Sequence, residues 1–239
     1  MTATEHLDAD AFLMAAQAGN GKDAQKAADA ALRDAAPDEK TLAYAVLTYI
    51  HTGRNEAAKK ALKRLGDAGS DHALWARAAG AVAYEPNDAP DLLRALHATG
   101  ADTNEYAILS GVSAYQQGHD EIGDQWFHHA TINPQSAFAT AGALGMRKHA
   151  TSGGRAIVFR VLAAVAGALV LGIIGLLIGI AAGEASTRRY LRNRTTGPAQ
   201  ALLTIKPPRD HRTNRESLKI LGLCAVFAIA IVALLIVAT

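Results

Sequence analysis

"LTYIHTGRNEAAKKALKRL", residues 47–65, decides the fold. Apolar and small residues recur at helical spacing on both sides of Gly53, so the stretch reads as the end of one helix, a break, and most of a second. Two helices this short cannot bury both apolar faces alone, which makes the pair one tile of a longer stack. Gly53 has a counterpart at Gly19, 34 residues earlier; Asn87 lies 34 residues later and Gly118 another 31 on. Segments beginning at residues 5, 39, 73 and 104 each give helix, short break, helix. Small or apolar residues align in the first helices (Ala11–Phe12, Ala45–Val46, Ala79–Gly80, Ser110–Gly111). They align again in the second helices (Ala24, Ala58, Leu92, Gly123), followed four residues on by Ala28, Leu62, Leu96 and Phe127. Small residues let helices approach, and larger ones one turn on fill the groove between them.

The period and pattern resemble the tetratricopeptide repeat (TPR) family over roughly residues 5–137. The last segment, "YAILSGVSAYQQGHDEIGDQWFHHATINP", places Gly111, Tyr115, Gly118, Gly123, Phe127, Ala130 and Pro134 close to the family's spacing. The second, "LAYAVLTYIHTGRNEAAKKAL", is nearly as good, whereas the third has Trp75 near the usual aromatic position but departs from the family at its "EPNDAPD" turn. The resemblance implies a solenoid whose first helices line a concave, partner-binding groove. Mapped onto this sequence, that groove presents Gln17, Lys40, His51, Arg77, Tyr84, Glu105, Tyr115 and Gln116. Family members that clamp the C-terminal carboxylate of chaperones use paired lysines and asparagines. Tyr44 and Leu47 stand where the asparagines would be expected in the second repeat, which disfavours that ligand. Residues 135–149 read as a closing helix over the last repeat, and "TSGG" at 151–154 as a hinge.

Composition agrees with helices. Half of the 239 residues are hydrophobic but only 5% are aromatic, and alanine, the best helix former, is frequent. The net charge of +2 conceals an asymmetry. Residues 1–154 carry 13 Lys+Arg against 19 Asp+Glu, a balance of −6, while residues 155–239 carry 11 against 3, a balance of +8. The single cysteine, Cys224, excludes an intrachain disulfide. The N-terminal "MTATEHLDAD" carries no recognisable secretory signal.

The basic back half contains two uncharged, mostly apolar stretches, 161–183 (23 residues) and 220–239 (20 residues). A hydrocarbon core of ~30 Å needs about 20 helical residues, so each is long enough to span it. Gly175, Gly179 and Gly183 recur every four residues and form a groove suited to close helix packing. Arg160 sits one turn inside the apolar start, where its long stem can reach the headgroups. Between the stretches lies an arginine-rich loop. Arg188, Arg189, Arg192 and Arg194 extend the first span into the lipid headgroups, and Lys206, Arg209, Arg212 and Arg215 follow. Such a loop is expected to stay cytoplasmic and to face anionic lipid. Nucleic acid is not expected, because only Tyr190 interleaves as a stacking residue. With one crossing on each side of this loop, residues 1–150 would lie outside; an acidic domain that folds early and lacks a signal would instead stay inside. The side of the repeat domain is therefore left open by the sequence.

The expected organisation is all-α: an N-terminal TPR-like solenoid at 1–150 (four helix pairs and a capping helix) followed by a two-helix transmembrane hairpin. The segments are a hinge at 151–155, a first span at 156–183, a basic loop at 184–217 and a second span at 218–239. No Walker loop, GxGxxG, GxSxG, HExxH or CxxC is present. Asp124 and His128, one turn apart beside His119, Asp120 and Glu121, read as a polar outer face rather than a metal site. The expected function is a non-enzymatic accessory subunit of a membrane protein complex, with spans packing on other subunits and repeats making protein contacts. The alternative is a membrane-anchored adaptor that recruits a peptide or protein transiently. Neither reading calls for a cofactor, a metal, nucleic acid or a small-molecule substrate.

Overall fold

A computed structural model describes residues 9–33, 37–152, 162–163, 182, 189 and 197–206. Among these residues there are ten helices and no strand, so the described fold is all-α. The chain divides into two compact units: Met1–His149 with Arg192–Pro208, and Ala150–Leu191 with Arg209–Thr239. The first unit holds four helix pairs. They are α1 (Ala9–Gln17) with α2 (Gly21–Ala31), α3 (Glu39–His51) with α4 (Asn55–Leu65), α5 (Asp71–Tyr84) with α6 (Ala89–Ala98), and α7 (Asn104–Gln116) with α8 (Asp120–His128). Each first helix packs on its own partner and on the first helix of the next pair, giving a row α1–α3–α5–α7 backed by the second helices.

Local chemistry repeats along this row. Gly19, Gly53 and Gly118 all adopt positive φ (94°, 75° and 82°), a region that only glycine enters without strain. The next residue in each case donates its N–H five residues back, Asn20 to Ala15, Arg54 to Tyr49 and His119 to Ala114, at 2.8–2.9 Å. This closure satisfies carbonyls at the end of the first helix and aims the chain into the second. The third pair departs. Its turn contains no glycine, Glu85 has φ −134°, and Pro90 sits in the first turn of α6. Among the described residues no non-glycine has positive φ, so Asn87 does not play the glycine's part. That turn shifts the phase of α6: Ala89, Leu93 and Leu96 are buried, while Leu92, the aligned position, is only half-buried.

The small-to-large alignment is realised elsewhere as interlocking. A Cβ on Gly111 would lie 2.9 Å from the Phe127 ring, and one on Gly123 would lie 2.5 Å from Tyr115. In the same way a Cβ on Gly80 would meet Leu62 of the preceding pair at 2.5 Å. Ala45, Val46, Ala79, Ala28, Ala58 and Phe127 are buried as the alignment requires, and Ala11 alone of the first-helix set is exposed. Tyrosine hydroxyls tie the pairs further: Tyr49 donates to Asp29 at 2.7 Å and Tyr84 to Asn55 at 3.0 Å. Asp29 also accepts from Arg54 at 2.6 Å, and Arg64 donates to the Leu32 carbonyl at the end of α2.

Two further helices complete the unit, and both differ from expectation. The segment read as a closing cap forms α9 (Ala137–Ser152), but it lies on the face of the first helices rather than over the end of the stack. His51 Nδ1 of α3 is 3.1 Å from Thr140 Oγ1, Trp75 of α5 meets Phe138 edge-on at 5.3 Å, and Gly142 touches Ile108 and Val112 of α7. Ala137, Ala139, Ala141, Ala143 and Met146 are all fully buried, while Phe138, Leu144 and Arg147 are half-buried and Lys148 is exposed. The segment read as loop contains α10 (Gly197–Thr204), which packs against α8 and buries Ala199 and Leu202 completely.

No helix among the described residues is long and apolar enough to cross a membrane. The two apolar stretches, 161–183 and 220–239, fall almost wholly outside them, with Gly175, Gly179, Gly183, Arg160 and Cys224. So do Arg188, Arg192 and Arg194; Arg189 is described, as a helical and exposed residue.

Two substitutions test this packing. Phe127→Ala should cost about 3–5 kcal/mol in denaturant unfolding, since the ring fills the contact between α7 and α8. Gly145→Ala should cost about 1–3 kcal/mol by overpacking, because a Cβ there would sit 2.5 Å from the Val82 carbonyl oxygen, a backbone atom with little room to yield. A change within error at either position would remove that residue from the core.

Candidate functional site

The face formed by the first helices is the candidate site, and α9 divides it. Along the C-terminal halves of α3, α5 and α7 the face is closed. Gln116 Nε2 donates to the Val82 carbonyl at 2.8 Å, and Lys148 donates to the Tyr84 carbonyl. Ser136 caps the start of α9 by accepting from the Phe138 N–H at 3.2 Å.

Toward the N-terminal halves the face opens into a hollow of about 310 Å³. Its walls are aromatic: Tyr44 and His72 lie 5.5 Å apart, and Trp75 stands against Phe138. Leu13, Ala43 and Leu47 line it as well, with Thr103 and Glu105 at the rim of α7. The Lys40 ammonium lies 5.8 Å from the centre of the Tyr44 ring. Such a hollow suits an apolar or aromatic side chain, with the Glu105 carboxylate placed to orient a donor or cation beside it.

The eight groove residues read from the sequence separate into different roles. Glu105 lines the hollow, and Lys40 approaches it through Tyr44. His51 and Gln116 lie on the face but are engaged by α9 and by α5. Gln17 is half-buried at the end of α1. The other three point away into the stack. Arg77 donates to Asp67 and to the Ala68 carbonyl in the turn before α5. Tyr84 reaches Asn55 with Lys59 over its ring, and Tyr115 is buried against Phe127 with its hydroxyl given to Asp124. Helical spacing places a residue on a face only to within a turn. At Tyr84 and Tyr115 a polar partner on a second helix draws the ring across that margin. The residues missed, Tyr44, His72, Trp75 and Phe138, shared a readable signal: aromatic rings in the first two turns of α3, α5 and α9.

The Asp124 carboxylate accepts from the Tyr115 hydroxyl rather than facing His128. Among the described residues no group of three or more His, Cys, Asp or Glu converges to hold a metal ion.

Burial governs the titration of this region. It holds the His51 imidazole below its ordinary range, against the backbone carbonyls of Ala16 and Ser136, which favour the protonated form. Burial likewise lowers His149, partly offset by the charge of Asp120. It also raises Tyr49 and Tyr115, helped by the hydrogen bonds and charges of Asp29 and Asp124.

A histidine whose folded pKa is depressed binds its proton more readily in the unfolded chain. Its neutral form therefore supports the fold fully above the ordinary imidazole value of about 6.5, and that support is lost as pH falls below it. Thermal melts should show the midpoint dropping below about pH 6.5, and His51→Gln should flatten that drop. An unchanged slope in the variant would exclude His51 as a contributor. Compared with known proteins, the chain matches no family model, and no curated protein or solved structure is significantly similar to it.

Proposed function

We propose that this is a tetratricopeptide-type repeat protein acting as a non-enzymatic accessory subunit of a membrane complex. Three glycine turns of one geometry, at Gly19, Gly53 and Gly118, support the repeat assignment, together with the continuous row of first helices. The two apolar stretches and the basic segment between them support membrane attachment against anionic lipid and other subunits.

The observation that carries the subunit reading is α9. A transient adaptor of this kind lays an extended or helical peptide along the first helices. Here that track is already filled by the chain itself, from His51 to Gln116. The repeats then act as a rigid brace that offers the aromatic hollow on its first-helix face. The alternative, an adaptor that recruits its partner transiently, keeps one observation in its favour. The hollow is open, and Tyr44, Trp75 and Phe138 could grip a single apolar anchor from a passing peptide.

Purification of the full chain from its own membranes in mild detergent separates the two. The subunit reading expects a stoichiometric complex that survives size exclusion, and loss of one component on Trp75→Ala with Tyr44→Ala. A lone protein with substoichiometric partners would favour the adaptor. Retention of the whole complex by the double variant would exclude the hollow as its contact.

A further inference from the structure

The aromatic hollow carries a single carboxylate. Tyr44 and His72 stand at 43° to each other, and Trp75 and Phe138 at 69°, so the rings form an angled wall rather than one flat surface. Glu105, half-buried in the first turn of α7, is the one acidic residue that lines the space, and no lysine or arginine lines it. Among the described residues no hydrogen bond or ion pair engages the Glu105 carboxylate. Asp29, by contrast, accepts from Tyr49 and Arg54, and Asp124 from Tyr115. Outside the lining, the Lys40 ammonium already lies 5.8 Å from the centre of the Tyr44 ring, as a cation drawn to its electron-rich face would.

These features choose among ligands. A purely apolar side chain would strip water from the Glu105 carboxylate and return no hydrogen bond, which is costly. A trimethylammonium group suits the rings but brings no donor either. A lysine ammonium brings donors, but it is a strongly hydrated point charge with no flat face to stack. A guanidinium meets both demands: it is planar, weakly hydrated, stacks on aromatic faces and presents a fork of N–H donors to a carboxylate. Its methylene stem is apolar and matches Leu13 and Leu47. The charge balance of −6 over residues 1–154 attracts a basic partner from a distance.

Resting on the reading of this hollow as the receptor of the repeat unit, we propose that its ligand is an arginine side chain of a partner protein, stacked among Tyr44, Trp75 and Phe138 and donating to the Glu105 carboxylate.

The test is a fluorescence titration of the full chain in nonionic detergent. Trp126→Phe leaves Trp75 as the single tryptophan, so emission reports the hollow. The probes are arginine, lysine and norleucine, each acetylated at its α-amino group and amidated at its carboxyl, and tetramethylammonium, all at constant ionic strength. The arginine probe should change the Trp75 emission saturably and bind at least about tenfold tighter than norleucine, and Glu105→Gln should remove about tenfold of its affinity while leaving norleucine unchanged. Norleucine binding as tightly as arginine would overturn the proposal and leave an apolar receptor. Lysine binding as tightly would overturn the guanidinium in favour of any cation. Tighter binding of tetramethylammonium would overturn it in favour of a lipid choline headgroup. Arginine affinity indifferent to Glu105→Gln would overturn the role of the carboxylate, and with it the choice of ligand. If no probe moves the Trp75 emission, the proposal fails, while purification of the complex, which uses no probe, decides the subunit reading separately.

Discussion

The structure turns on how closely α9 approaches α5 and α7. At Gly145 the backbone comes so near the Val82 carbonyl that no side chain fits, and at Gly142 a Cβ would press on the methyls of Ile108 and Val112 at 3.2–3.3 Å. Close approach removes water from the alanine-rich faces of three helices at once. Small side chains bury little area individually, so a core built from alanine depends on closeness for its dispersion energy. The bulky side chains Phe127, Leu96 and Met146 are fully buried among them, Phe127 against the bare backbone of Gly111.

Closing the first-helix face gives a frame with little freedom to adapt. Polar ends that would otherwise meet a ligand are spent internally, as when Gln116 and Lys148 hold backbone carbonyls of α5. The hollow left open on that face is aromatic, and its rings hold one another in place through the Tyr44–His72 and Trp75–Phe138 pairs. A receptor prepared in this way loses little entropy on binding but accepts only a partner of matching shape.

Much of this was legible in the residues. The glycine phase located three of the four turns, and the alignment marked Phe127 as a groove filler, although which small residue it meets, Gly111, came only from the structure. Two things were not legible. The buried Ala137, Ala139, Ala141 and Ala143 recur every second residue rather than along one helical stripe, so nothing in that segment marks which surface it joins. In α10, Leu202 and Ala199 sit within a strongly basic context, and charge patterning reports lipid or solvent far more readily than a short apolar contact with a distant domain. The lines of contact were missed for the same reason in both cases: local periodicity describes a helix face, and tertiary partners choose among faces.

The position of α10 along the chain sets a schedule for synthesis. A ribosome adding roughly 5–20 residues per second spends several seconds between completing α9 and releasing α10. Throughout that interval the flank of α8 that α10 will cover stands bare, while the most apolar part of the polypeptide is emerging. Completion of the repeat unit therefore waits until the apolar stretch 161–183 has been synthesised. A nascent chain stalled before residue 197 would carry a helical stack with an adhesive end, the kind of surface that chaperones recognise.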